Sequence, residues 1–269
     1  MKVGYVSGDY IRKTHHKAET LITECLNRSL SLVVLTGGIS ENYISTLEYI
    51  NKLGSGLRQA DIKLRFIYGN TDFYYKESVV NKIEKFYEIK NTYNTNEYCL
   101  MTHPIIKQKL WIIGTDTWYD YSLYRGNPTQ LKTISKKKKF FKKNRDNDYI
   151  TDSGDYVLGV NNTFDCIYTK ECLGSLDRNL NRYEQRMLDP VYKVIVGYFY
   201  SSKVMLMDSM FENYFGTFKG SDKMFDILQK HKVTDYICGI KARSNTIKYN
   251  GVSLVGATDK IYEVTYNES

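Results

Sequence analysis

KVGYVSGDY at residues 2–10 and LVVLTGGISE at residues 32–41 decide the fold. Each is a short apolar run that stops at a turn of Ser, Gly or Thr, the pattern of a strand buried on both faces. Between them Ala18, Leu21, Ile22, Cys25 and Leu26 recur at helical spacing. Beyond the second strand Ile44, Leu47, Ile50 and Leu53 do the same, and Gly54 is expected to stop that helix. A third strand is expected at 62–68 (IKLRFIY), followed by an amphipathic helix marked by Val79, Val80, Ile83, Phe86 and Tyr87. Strands alternating with helices need crossover connections, which predicts an α/β fold with a largely parallel sheet.

Working outward, 98–102 (YCLMT) and 109–114 (KLWIIG) read as a strand pair around a turn containing Pro104. The stretch at about 119–170 is polar and irregular and reads as an insertion or cap. Leu180, Tyr183, Met187 and Leu188 predict a helix ended by Pro190, then 192–199 (YKVIVGYF) a buried strand. Met224, Phe225 and Leu228 mark a short helix. Strands follow at 235–239, 245–249, 252–256 and 261–265, with Asn250-Gly251 as a hairpin turn. The three prolines form no linker, so residues 1–269 are expected to fold as one domain.

Composition narrows the function classes. Cysteines at 25, 99, 166, 172 and 238 are odd in number and lack CxxC spacing, which argues against a disulfide framework or a thiolate zinc site. The start of the chain turns polar too early for a signal sequence and no run is long and apolar enough to span a bilayer, so a soluble, cytoplasmic protein without a membrane partner is expected. The formal net charge of +8 is concentrated in Lys136, Lys137, Lys138, Lys139, Lys142, Lys143 and Arg145, a basic run interrupted by Phe140 and Phe141. Such a run is either a solvated face or, with the two Phe as stacking groups, a nucleic-acid contact.

The turns at the strand ends read SGDY at 7–10, GGISE at 37–41, GNTD at 69–72, GYFYSS at 197–202 and CGIKAR at 238–243. This succession resembles the calcineurin-like metallophosphoesterase family, whose signatures are D-x-H, G-D-x-x-D, G-N-H-[DE], a His at a T-H-F-like strand end, and G-H-x-H. Residues 118–123 (WYDYSL), behind Gly114-Thr115, and 215–221 (FGTFKGS) look like segments of one bacterial branch of it. The resemblance covers nearly the whole chain. It implies a four-layer α/β/β/α sandwich of two mixed sheets flanked by helices.

In that family the signatures hold two metal ions that polarise a phosphoryl oxygen and supply a hydroxide. Carried over position by position, the metal ligands fall on Gly8, Tyr10, Gly38, Asn70, Tyr198, Ile240 and Ala242, and only Asn70 keeps the family's residue. The catalytic His beside it is Thr71, and the acid that follows survives as Asp72. Gly, Ile and Ala carry no donor atom, and a neutral Tyr with a reference pKa of about 10 is a poor ligand for a divalent ion. The resemblance therefore implies a pseudoenzyme with a lost metal site and no cofactor, acting by binding a protein partner or a phosphate-containing ligand. Lys241, Arg243, Tyr10 and Tyr198 are the candidate anion-binding residues. The alternative is a weakly active metal-dependent phosphodiesterase or phosphatase, with Asp9, Glu41, Asn70 and Asp72 around a single Mg²⁺ or Mn²⁺. A third reading is a nucleic-acid binder using 136–145. None of the four His residues, 15, 16, 103 and 231, falls at a ligand position, and Cys238 reads as a buried structural thiol.

Overall fold

The structure, a computed structural model, describes residues 1–14, 17–75, 81–118, 123, 162–205, 220–240, 246–258 and 260–267. Three parallel strands, β1 (Lys2–Val6), β2 (Leu32–Thr36) and β3 (Lys63–Ile67), form one sheet, closed at the β1 edge by the antiparallel β10 (Tyr262–Thr265). The second sheet runs β4 (Ile105–Ile106), β5 (Leu110–Gly114), β6 (Tyr192–Gly197), β7 (Asp235–Cys238), β9 (Val252–Gly256) and β8 (Thr246–Tyr249), parallel at its centre and antiparallel at both edges. Every residue of β2 and β5 is buried, as strands covered on both faces require. Helices α1 (Gly8–Lys13), α2 (Ala18–Asn27), α3 (Tyr43–Gln59), α4 (Lys82–Thr95), α5 (Asn162–Glu184) and α6 (Lys223–Lys230) flank the sheets. Val3, Val34 and Phe66 of the first sheet share one buried cluster with Ile112, Val194 and Val255 of the second. The architecture is the expected sandwich of two mixed sheets with helices outside.

Local chemistry explains the ends of the elements. The Ser7 hydroxyl caps α1 by accepting from Tyr10 N–H at 3.2 Å, and the amides of Asn42 and Asn81 cap α3 and α4. Asn250 and Gly251 both stand at positive φ, 45° and 85°, the turn that matches the twist of the β8–β9 hairpin.

Four expectations are corrected. Gly54 does not end its helix, because α3 continues to Gln59. A Cβ there would stand 2.5 Å from the Tyr98 ring, so Gly54 is a packing glycine rather than a stop. Residues 98–102 form a turn with a single bridge from Cys99 to Phe66, and the antiparallel partner of β5 is instead β4, after Pro104. The stripe expected on α4 is displaced, with Phe86, Ile89 and Tyr93 buried while Ile83 and Tyr87 are exposed. The helix expected around 180–188 is α5, which begins at Asn162 and ends at Glu184, before Met187 and Leu188. Its buried Tyr168, Cys172, Leu176 and Leu180 recur every fourth residue, a signal hidden by the polar residues between them. The last part of the expected 119–170 insertion is therefore helix, while 119–122 and 124–161, with the basic run 136–145, lie outside the described residues. No described helix is long and apolar enough to cross a membrane.

Candidate functional site

Parallel strands deliver their following turns to one edge, here the carboxyl ends of β1, β2, β3, β6 and β7. After β2, Gly37 and Gly38 adopt φ of 85° and 67°, left-handed values that favour glycine. The turn so formed aims successive amides at one carboxylate. Gly38 and Gly69 N–H donate to Asp72 Oδ2 at 2.8 and 2.7 Å, and Ile39 and Ser40 N–H donate to Oδ1 at 2.8 and 3.1 Å. The Thr46 hydroxyl adds a fifth contact to the carboxylate, donating to Oδ1 at 2.9 Å. Converging N–H groups of this kind make an anion-binding nest, and its anion is the protein's own Asp72. Burial pushes the Asp72 carboxyl above its ordinary range, while hydrogen bonds from Gly69, Ser40, Thr46 and Gly38 pull the other way. Backbone N–H groups can only donate, so the arrangement is built for the ionised form.

Tyr198, just beyond β6, lies across the same three glycines. A Cβ on Gly38 would stand 2.9 Å from Tyr198 Cε2 and 3.0 Å from its hydroxyl oxygen. On Gly69 it would stand 2.7 Å from Cδ2 and Cε2, and on Gly37 2.8 Å from Cδ2. The ring occupies the room that side chains on these glycines would need. Burial, and the charge of Asp72 behind it, raise the Tyr198 phenol well above its ordinary value, so it stays neutral.

The two-metal centre of the resembling family does not fit these residues. A Cβ on Gly8 would overlap the Gly38 carbonyl, because the Gly8 amide is bonded to Gly37 O at 3.0 Å. Tyr10 donates its hydroxyl to Glu24 on α2, and burial and that carboxylate push its phenol up to about 12. The Tyr10 hydroxyl is thus engaged by Glu24, whereas the Tyr198 ring lies on the glycine turn. Ile240 is half-buried and packs as an apolar side chain against both clusters. Asn70 precedes a 3₁₀ turn, Thr71–Phe73, and the buried Thr71 hydroxyl has no hydrogen-bond partner among the described residues. Nor do the residues of the single-ion alternative converge. Asp9 is paired with Arg12, Glu41 is exposed, and both oxygens of Asp72 are committed to N–H donors. Among the described residues no three His, Cys, Asp or Glu side chains gather into a metal-binding group. Lys241, Ala242 and Arg243 lie outside the described residues, as do His15 and His16.

Arg12 is the residue that the sequence reading missed. Its guanidinium donates to Gly38 O at 2.9 Å while pairing with Asp9, and so straps α1 to the glycine turn. The Asp9–Arg12 spacing of three on a helix was the available signal. Cys238 is buried, its thiol pushed up to about 12 by burial, as befits a structural thiol. His103 is exposed beside Thr102, whereas His231 is buried with both ring nitrogens against carboxylates, Glu184 at 2.9 Å and Asp177 at 2.7 Å.

Solved structures place this architecture. The phosphopantetheinyl hydrolase PptH from Mycobacterium tuberculosis superposes with a TM-score of 0.64 at 16% identity, over 95% of this chain and 88% of that one. The fold is metallophosphoesterase-like. A dimetal phosphatase from Danio rerio is similar with a TM-score of 0.54 at 12% identity, covering 95% and 86% of the two chains. No protein-family model and no curated protein matches the sequence. Both neighbours are named as hydrolases, and at these identities the likeness is one of fold. Within the metallophosphoesterase-like fold, the turns that face the cleft in this chain carry Gly8, Gly38 and Tyr198.

Proposed function

We propose that this chain is a non-catalytic protein of metallophosphoesterase-like fold that works by binding, with the former metal cleft closed from within. The observation that carries this reading is the Tyr198 ring seated on Gly37, Gly38 and Gly69, above an amide nest filled by Asp72. Metal-assisted hydrolysis needs an open coordination position and a water whose pKa is lowered from about 16 toward 7. Among the described residues neither a bridging carboxylate nor an imidazole stands at the metal positions to build one. A phosphate-containing ligand would compete with Asp72 for the turn's N–H groups, so binding elsewhere on the surface, to a small ligand or a protein partner, is favoured.

The test is elemental analysis of the purified protein alongside hydrolysis of bis-p-nitrophenyl phosphate with added Mn²⁺. Sub-stoichiometric metal and no turnover above the blank are expected. About two metals per chain with Mn²⁺-dependent turnover abolished by Asn70→Ala would sink the reading and make the protein a metal-dependent phosphoesterase.

A further inference from the structure

A cleft of about 420 Å³ lies between α4, α5 and the end of β5, and none of the family's metal positions among the described residues lines it. Its size is at the lower end of the range for small-molecule sites. Helical spacing builds its two walls. Lys90 and Asn94 are four apart on α4, and Glu171, Ser175 and Arg178 are four and three apart on α5, so each set shares a face. Asp116, two residues past β5, forms the floor.

Three donors converge on one oxygen of Asp116. Tyr68 donates its hydroxyl to Oδ2 at 3.0 Å, Tyr168 donates to the same atom, and Lys90 Nζ stands 3.0 Å from it. Lys90 also donates to the Tyr168 hydroxyl at 2.7 Å and rests 4.4 Å over that ring. Burial is the largest influence on the Lys90 ammonium and works to lower it, but the charge and hydrogen bond of Asp116 together with Cys172 and Tyr87 outweigh it, so Lys90 stays cationic. The side chain of Asp116 is only 11% exposed. Its rotamer is thus locked, and Oδ1 has no hydrogen-bond partner among the described residues. Arg178, exposed at the mouth, makes no ion pair among them either. A carboxylate with one oxygen held by Tyr68, Tyr168 and Lys90 and the other turned to the cleft is a fixed polar group that sets ligand orientation.

We infer that this cleft binds a small zwitterion of the amino-acid class, its ammonium against Asp116 Oδ1 and its carboxylate against Arg178. The charge pattern selects that class. A purely anionic ligand would meet Asp116 and Glu171, and a purely cationic one Lys90 and Arg178, whereas a ligand carrying both signs matches both pairs. Arg178 offers the planar fork that suits a carboxylate, and Asn94 and Ser175 supply neutral hydrogen bonds along the walls. None of the residues that close the former metal cleft, Gly37, Gly38, Gly69, Asp72 and Tyr198, lines this site.

The experiment is a thermal-melt and calorimetric screen of the full chain against the standard L-amino acids, with n-butylamine and propionate as single-charge controls. At least one amino acid should raise the melting temperature and bind with unit stoichiometry, while both controls leave the protein unchanged. Arg178→Ala, a surface change that leaves the buried cluster intact, should weaken that binding about tenfold or more, the loss of one charge-assisted hydrogen-bonding partner. Asp116→Asn should weaken it as well, and if that variant fails to fold, Arg178→Ala decides. No response to any amino acid, or wild-type affinity in Arg178→Ala, would overturn the assignment and leave the Asp116 cluster as a structural one.

Discussion

Replacing Asp72 with Ala strands four backbone N–H groups, three of them buried, and the Thr46 hydroxyl. Each unsatisfied buried donor costs about 1–3 kcal/mol, and some of them regain water, so a loss of roughly 3–5 kcal/mol is expected in urea unfolding. A loss below about 1 kcal/mol would mean that the nest is not held by its carboxylate. Gly8→Asp puts back the family's first ligand, yet its Cβ overlaps the Gly38 carbonyl. That variant is expected to melt at a lower temperature and to bind no more Mn²⁺ than the parent, by elemental analysis. At the residue scale the missing ligands are legible in the sequence, because Gly and Ile have no donor atom in any fold. The replacement partners are not, because Asp72 meets Gly38 across 34 residues and Tyr198 meets it across far more.

Helix α3 shows packing overriding propensity. Gly54 sits inside it because the Tyr98 ring, held by Arg58 at 2.6 Å, presses on that position. Gly54→Ala would gain about 0.5–1 kcal/mol of helix propensity and lose about 1–3 kcal/mol to overpacking. Net destabilisation of about 1 kcal/mol is expected in denaturant melts. In a Tyr98→Leu background the same change should become neutral or stabilising, and additivity between the two would refute the contact. Period and turn residues located β1, β2, β3, β9 and the Asn250-Gly251 hairpin, since those signals are local. They misplaced the end of α3 and the partner of β5, since a glycine reads alike whether it breaks a helix or admits a ring.

Across the molecule, carboxylates clasp the sheets at two places. Glu263 on β10 holds Lys2 at 2.8 Å and Arg28 beside it, tying the closing strand to β1 and the end of α2. At the start of β6 the buried Lys193 bonds Glu184 at 2.6 Å, Asp189 at 3.1 Å and His231 O at 2.8 Å, while Lys230 and His231 hold Asp177. Hydrogen bonds from Lys230 and His231 lower the Asp177 carboxyl, and those from Lys2 and Arg28 lower Glu263. A depressed folded value means stability present above the unfolded range of about 4 and lost as pH falls through the folded values. The melting temperature should therefore drop below about pH 4, and Asp177→Asn with Glu263→Gln should flatten that drop. An unchanged acid slope in the double variant would show that other carboxylates carry it.

By itself the sequence determined most of the strands and their turns, the α/β class and the absence of side-chain donor atoms at Gly8, Gly38 and Ile240. Each of these follows from residue type or from a repeat of two or 3.6 residues, which is local information. Tertiary structure alone decided that Asp72 fills the amide nest, that Tyr198 covers the glycines, and that one oxygen of Asp116 is locked by Tyr68, Tyr168 and Lys90. Those outcomes rest on which donors the sheets bring within about 3 Å of one another. Such pairings depend on register and packing across the whole chain, and no local pattern encodes them.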